Sequence, residues 1–287
     1  MSRQIRSMTP SVENCANFDV LIVGAGFAGM YMLHKCRQLS LSTRVFEVGK
    51  GVGGTWYWNR YPGARCDVES VQYSYQFDTE LEQEWTWSEK YSTQPEILRY
   101  ANHVADRFDL RDNIQFETRV ISAEYSEADK LWVLETDRNE KVSSRYCVFA
   151  TGCLSSSNVP KFEGYETFKG LSYHTGRWPH EGVNFSGLRV GVIGTGSSAI
   201  QSIPEIAKEA SQLTVFQRTA NYTIPARNSE LTEDYVSSIK ADYPGLRERA
   251  RNKPAGYDIP LNSQSVLEVG REDANIEFQR RWELGGT

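Results

Sequence analysis

The chain has 287 residues, a net charge of −5 and 39% hydrophobic residues, which is room for about two domains with a core and no basic footprint for nucleic acid. No run approaches the ~18 uninterrupted apolar residues of a membrane span, and the polar stretch from Met1 to Asn17 lacks the apolar centre of a secretory signal, so residues 1–17 are expected to be a disordered tail. The cysteines Cys15, Cys36, Cys66, Cys147 and Cys153 are odd in number without C-x-x-C spacing, which opposes a zinc site or disulfide framework and fits a reducing cytoplasm.

The first predicted element is a buried parallel strand, Val20-Leu21-Ile22-Val23, entering the turn Gly24-Ala25-Gly26-Phe27-Ala28-Gly29. In this G-x-G-x-x-G pattern Gly24 permits the tight turn and Gly26 lets backbone N–H groups approach a pyrophosphate. Gly29 lets the following helix close on the strand. Such a turn places the anion at a helix N-terminus, where unpaired N–H groups and the helix dipole favour it. The helix continues to Leu39, with Met32, Leu33, Cys36 and Leu39 expected to face the sheet. A second strand, Thr43–Phe46, ends in Glu47, where an acid would hydrogen-bond a ribose diol.

From Gly51 to Ser70 the chain is dense in glycine, aromatic and charged residues without a sustained period. It reads either as an aromatic-stapled surface loop or as a loop wrapping a cofactor. On the second reading the Gly54 and Thr55 backbone approaches the cofactor, Trp56 and Trp58 cover its rings, and Arg65 and Asp67 stand by its reactive end. A helix is predicted from Thr93, with Ile97, Ala101, Val104 and Phe108 as a core stripe. Short strands at Ile114–Thr118, Val120–Tyr125, Trp132–Thr136 and Tyr146–Phe149 suggest an antiparallel meander. Ser155 to Pro160 marks a domain boundary.

A second copy of the nucleotide pattern follows. Strand Leu188–Ile193 enters Gly194-Thr195-Gly196-Ser197-Ser198-Ala199, a G-x-G-x-x-A turn, and a helix beginning near Ile200. The partner strand Leu213–Phe216 ends in Gln217-Arg218 with no acid, and Arg218 suits the 2′-phosphate of NADP or is a plain surface charge. Asp234–Tyr243 and Ala274–Glu283 read as helices around an irregular insertion. The chain stops at Thr287 without a third strand for the second unit.

Two nucleotide turns, the second NADP-like, fit a diffusible hydride donor serving a bound flavin. Between them, Phe168-Lys169-Gly170-Leu171-Ser172-Tyr173-His174-Thr175-Gly176-Arg177-Trp178-Pro179 resembles the F-x-G-x-x-x-H-x-x-x-W-P fingerprint of type I Baeyer–Villiger monooxygenases at every fixed position. The Gly53–Ser70 loop is also similar to that of the phenylacetone, cyclohexanone and steroid enzymes of that family.

The resemblance implies an α/β fold with two Rossmann-like domains, for FAD (18–155) and NADP (156–287, a helical insertion starting near 225). Both are incomplete, because the family's C-terminal half is absent. It implies FAD-dependent, NADPH-using insertion of one oxygen atom of O2 beside a ketone carbonyl through a C4a-peroxyflavin, giving an ester or lactone. By family position Thr55, Trp56, Tyr57, Trp58, Asp67, Val68 and Tyr73 line FAD. Arg65, Cys66 and Asp67, with Gly194–Ile200, Gln217 and Arg218, meet NADP. Asp67 pairs with an arginine expected beyond Thr287, and His174 organises the hinge between the domains. The partners implied are a small-molecule ketone and O2, with no nucleic acid and no membrane. Either a second polypeptide supplies the remainder, or the short chain has impaired activity. An N- or S-oxygenating flavoprotein monooxygenase, opposed by Trp178-Pro179, and a non-catalytic nucleotide-binding fragment are the alternatives.

Overall fold

The computed structural model describes residues 15–259 and 264–285. The chain forms two compact units, Met1–Arg60 with Ile97–Glu181, and Tyr61–Glu96 with Gly182–Thr287. The segment 61–96 thus groups with the second nucleotide turn, whereas the sequence reading placed it in the first domain.

In the first unit β1 (Ala16–Val23) lies at the middle of a six-stranded sheet. Its parallel neighbours are β2 (Thr43–Phe46) and β6 (Lys141–Phe149). The strand starts at Ala16, inside the stretch expected to be tail; residues 1–14 of that stretch lie outside the described residues. β3 (Ile114–Gln115) pairs in parallel with β2 at one edge. It is shorter than expected and separate from the meander. β4 (Val120–Ser126) and β5 (Leu131–Thr136) complete an antiparallel β4-β5-β6 meander at the other side.

Alternation along β1 sends Val20 and Ile22 to one face and Leu21 to the other. On the first face they pack with α1 (Phe27–Gln38) and with Ala101 and Ala105 of α4 (Gln94–Arg107). On the second, Leu21 meets Phe46, Leu134 and Val142. The buried stripe of α1 is Gly29, Met30, Leu33 and Cys36. Met32 is only partly buried and Leu39, which ends the helix, is exposed, so the stripe is rotated from the expected one. The stripe on α4 follows expectation, with Ile97, Ala101 and Val104 buried and Phe108 packed against the core. α2 (Thr55–Trp58) is a single turn inside the long loop.

In the second unit β7 (Arg189–Ile193) and β8 (Gln212–Phe216) form a parallel pair joined by α5 (Ser197–Glu209). α3 (Thr79–Glu84) docks against α7 (Tyr243–Arg251) through a buried ion pair, Arg247 Nε to Glu82 Oε1 at 2.9 Å. α6 (Glu233–Ala241) is tied to the same segment, where Lys240 Nζ donates to Gln83 O at 2.6 Å. α6 and α8 (Arg271–Leu284) fall where helices were expected, while α3 and α7 were not anticipated. Ser155–Pro160, expected as the domain boundary, lies within the first unit, and the chain passes into the second at Gly182.

Candidate nucleotide sites

The first turn is built by close backbone contact. Gly24 adopts φ +104°, and a Cβ there would lie 2.6 Å from Ala150 O. A Cβ on Gly29 would lie 1.9 Å from Gly24 O, so only glycine lets α1 close on the turn. Gly26 caps α1 without a side-chain hydrogen bond, and no acid stands in the helix's first turn. Opposite it, a Cβ on Gly54 would lie 2.8 Å from Gly26 Cα. The result is a cradle of bare backbone at the positive end of a helix, which fits a dinucleotide pyrophosphate.

Glu47 is buried; its Oε2 accepts from Ala25 N–H and its Oε1 from Gly49 N–H, each at 2.7 Å. The carboxylate thus holds the turn, and its remaining lone pairs leave capacity for further donors. Phe27 is half-buried with its ring 6.1 Å from Tyr100, and Ala28 is exposed.

In α2, Trp56 is buried and Trp58 half-buried. Tyr57 packs under Gly49 and Gly51 and accepts from Lys50 N–H at 3.0 Å through its hydroxyl. It also meets the exposed His180 ring at 5.3 Å. Tyr57 therefore staples its own loop.

The second turn repeats the backbone course with less around it. Gly194 has φ +102°, and a Cβ on Gly194 or Gly196 would meet nothing within 4 Å. Gly196 caps α5 with no side-chain bond and no acid in the first turn. By contrast α3 and α6 are capped by Asp78 and Thr232 and carry acids there. An anionic phosphate fits the bare end of α5 for the same reason as at α1. Ser197 and Ile200 are exposed, and Ser198 and Ala199 are half-buried. Gln217 Nε2 donates to Thr195 Oγ1 at 3.0 Å, tying the end of β8 to the turn. Asn221 Nδ2, not singled out from sequence, donates to Thr195 O at 2.6 Å. Arg218 is exposed beside them in sequence.

Also in the second unit, the Arg65–Asp67 segment lies against α5. Gln201 Nε2 donates to Asp67 Oδ1 at 2.9 Å. Arg65 Nη1 lies 3.3 Å from Glu89 Oε2, which also accepts from Asn228 Nδ2. Burial pushes the Cys66 thiol up to about 12, and its sulfur accepts from Val68 N–H. Tyr73 is half-buried and its N–H donates to Glu69 O. Of the residues expected to line FAD, Thr55–Trp58 thus belong to the first unit and Asp67, Val68 and Tyr73 to the second.

His174 caps the 3-10 turn Thr175–Arg177, its Nδ1 accepting from Gly176 N–H at 3.1 Å. Its segment is further tied by Arg177 to Ser157 and by the buried Trp178 against Tyr173.

A family model described as pyridine nucleotide-disulphide oxidoreductase matches residues 21–277, spanning both turns. The chain belongs to that family. Within it, the chain is 43% identical over 272 residues to a Baeyer–Villiger monooxygenase of Pseudooceanicola batsensis, covering 94% of this chain and 50% of the relative. It is 42% identical over 270 residues to a phenazine N-monooxygenase of Lysobacter antibioticus, again 94% of this chain and 50% of the relative. Among solved structures, oxidized steroid monooxygenase bound to NADP matches with a TM-score of 0.90 and 55% identity, covering 94% of this chain and 52% of that one. The resemblance to Baeyer–Villiger monooxygenases therefore stands, and the chain spans about half the length of the curated relatives it matches. FAD and NADP are the cofactors that these relatives and both cradles support. Among the described residues no helix is long and apolar enough to cross a membrane.

Proposed function

We propose that this chain carries the FAD- and NADP-holding parts of a Baeyer–Villiger-type monooxygenase that converts a small-molecule ketone and O2 to an ester or lactone. The observation that supports it most is the pair of glycine-capped helices, α1 and α5, each left without a side-chain cap or first-turn acid. Bound FAD supplies a two-electron relay from NADPH to O2, chemistry that no amino-acid side chain provides.

The chain's own residues bind and orient. Gly24, Gly26, Gly29 and Gly54 admit one pyrophosphate, and Glu47 accepts from its ribose. Thr55, Trp56 and Trp58 contribute to the flavin surroundings on the first unit. Gly194 to Ile200 admit the second pyrophosphate, and Gln217 and Arg218 read its adenosine end. Arg65, Cys66 and Asp67 face the nicotinamide side, Asp67 as the carboxylate acceptor for an arginine. His174 holds the 3-10 turn of the connector and so orients it rather than moving protons. By the resemblance, that arginine and the ketone-binding wall belong to sequence beyond these 287 residues, on the same polypeptide or on a second chain. The free cysteines support a reducing cytoplasm as the compartment.

The test begins with FAD and NADP+ titrations of the purified chain, followed by NADPH oxidation and product analysis on a ketone panel with the remaining length supplied. Retained flavin and ester product support the proposal; failure to bind either nucleotide overturns it. The 42% identity to an N-oxygenating relative favours a second reading, oxidation of a ring nitrogen. N-oxide without ester from the same panel would establish that reading instead.

A further inference from the structure

Gln201 stands in the second turn of α5, one residue past the stretch expected to meet NADP, and its side-chain amide is fully used. Oε1 accepts from the Tyr61 hydroxyl at 2.9 Å and from Arg65 N–H at 3.3 Å. Nε2 donates to Arg65 O at 3.1 Å and to Asp67 Oδ1 at 2.9 Å. An amide has two acceptor sites and two donor hydrogens, so all four are satisfied by a single seven-residue stretch. The backbone beneath is equally close: Gly63 adopts φ +76°, and a Cβ there would lie 2.2 Å from Gln201 O. Burial raises the Tyr61 hydroxyl above its ordinary value, so it stays a donor to Oε1. Other contacts hold different atoms: Glu89 Oε2 and Tyr91 O approach the Arg65 guanidinium, and residues 92–94 pair with the backbone at Ala64 and Cys66, which leaves the Asp67 carboxylate to Gln201.

We propose that Gln201 is a positioning residue that fixes the Arg65–Asp67 segment on the NADP-type helix and sets where the Asp67 carboxylate stands when the nucleotide binds. Its effect on the nucleotide rests on the reading of the Gly194–Ala199 turn as an NADP site; its hold on the segment does not.

The experiment uses the 287-residue chain and reads two quantities, amide hydrogen exchange of peptides covering residues 61–68 and NADP+ affinity by fluorescence titration. Gln201→Met keeps the volume and removes all four bonds. It should raise exchange across 61–68 at least tenfold and weaken NADP+ by about the same factor. Exchange in β1 should stay at the wild-type value. Gln201→Glu keeps the acceptor for Tyr61 and Arg65 N–H but turns a carboxylate on Asp67. It should loosen residues 65–68 and leave Tyr61 held.

The decisive variant is the exchange Gln201→Glu with Asp67→Asn, which swaps amide and carboxylate and restores one N–H to O bond. Recovery of protection around residue 67 relative to Gln201→Glu alone is expected, and a residue that merely filled space would show none. Unchanged exchange in Gln201→Met, or no recovery in the swap, overturns the proposal. Changed exchange without any NADP+ binding by the wild type would instead overturn the functional reading of the turn.

Discussion

In the first glycine turn a methyl group at Gly29 would sit 1.9 Å from Gly24 O; in the second, Ala199 already occupies the corresponding position. Around the first turn the sheet is wide, and Val20, Leu21 and Ile22 are buried on both faces. Around the second only two strands are paired among the described residues, and Ile193 and Phe216 are 69% and 58% exposed. The same motif therefore does two jobs. The first turn is part of a core where Gly24 and Gly29 have no room for a side chain; the second lies on a sparse scaffold with open space at Gly194 and Gly196. The phosphate logic is common to both, since α1 and α5 end bare. What differs is how much of the fold each turn carries.

The strongest way to break that comparison is Gly29→Ala. The backbone contact cannot relax as a flexible side chain would, so the cost is expected above about 3 kcal/mol, with flavin retention lost alongside. A denaturant melt checks it, and a near-neutral result would remove the distinction between the turns. Almost as large is Glu82→Leu in the second unit, which strands Arg247 as a buried charge and should cost roughly 3 kcal/mol. If that melt matched wild type, the stability of the second unit would have to come from elsewhere than the α3–α7 contact.

Gly196→Ala sharpens the comparison by separating binding from folding. The residue has φ −74°, which alanine accepts, and open space where the methyl would go. Stability should stay within about 0.5 kcal/mol of wild type. On the proposed reading of this turn, NADP+ affinity should fall roughly tenfold, because the methyl would crowd the pyrophosphate. A smaller change is expected from Arg218→Ala. An exposed guanidinium contributes about 1 kcal/mol at most, so preference for NADP+ over NAD+ should drop about fivefold without a change in FAD affinity.

The difference between the turns was only half legible in the residues. Strand β2 at Thr43–Phe46, the β4–β5 hairpin and the α4 stripe follow directly from periodicity and turn composition, whereas the strand expected at Tyr146–Phe149 begins at Lys141, and it is Lys141–Ser144 that pair with β5. Both glycine turns are visible because the glycines stand at the motif's fixed spacing, and Gly24, Gly29 and Gly194 also answer a local backbone need. The stripe on α1 was misphased because Leu39, apolar in sequence, falls on the helix end, where burial depends on neighbours and not on period. The grouping of residues 61–96 with the second unit could not be read, since it depends on long-range bonds. Gln201 binds residues 134 to 140 positions away, and Lys90 N–H and Leu231 N–H pair 88–90 with 229–231. No local pattern announces such partners. Glu47 was found as an acid of the right spacing, but its two bonds to Ala25 and Gly49 show a turn-building task that spacing alone does not reveal.

The smallest effect concerns the thiols, which probe each unit without altering it. Burial pushes Cys147 in the first unit up to about 11 and Cys66 in the second up to about 12, whereas Cys153 is exposed. Iodoacetamide should label Cys153 well before Cys66, because alkylation needs both access and thiolate. The sign for stability follows from the same burial. An unfolded thiol gives up its proton near pH 9 while the folded one keeps it, so the folded state binds more protons and stability falls as pH rises from about 9 towards 12. Below pH 9 both states are protonated and this contribution is flat. Cys66→Ala should therefore flatten part of the alkaline slope of the melting temperature while leaving the neutral plateau level. If Cys66 is labelled as fast as Cys153 at pH 8, the segment that carries it opens more readily than its packing implies. That would show the second unit to be sparse in its loop as well as in its sheet.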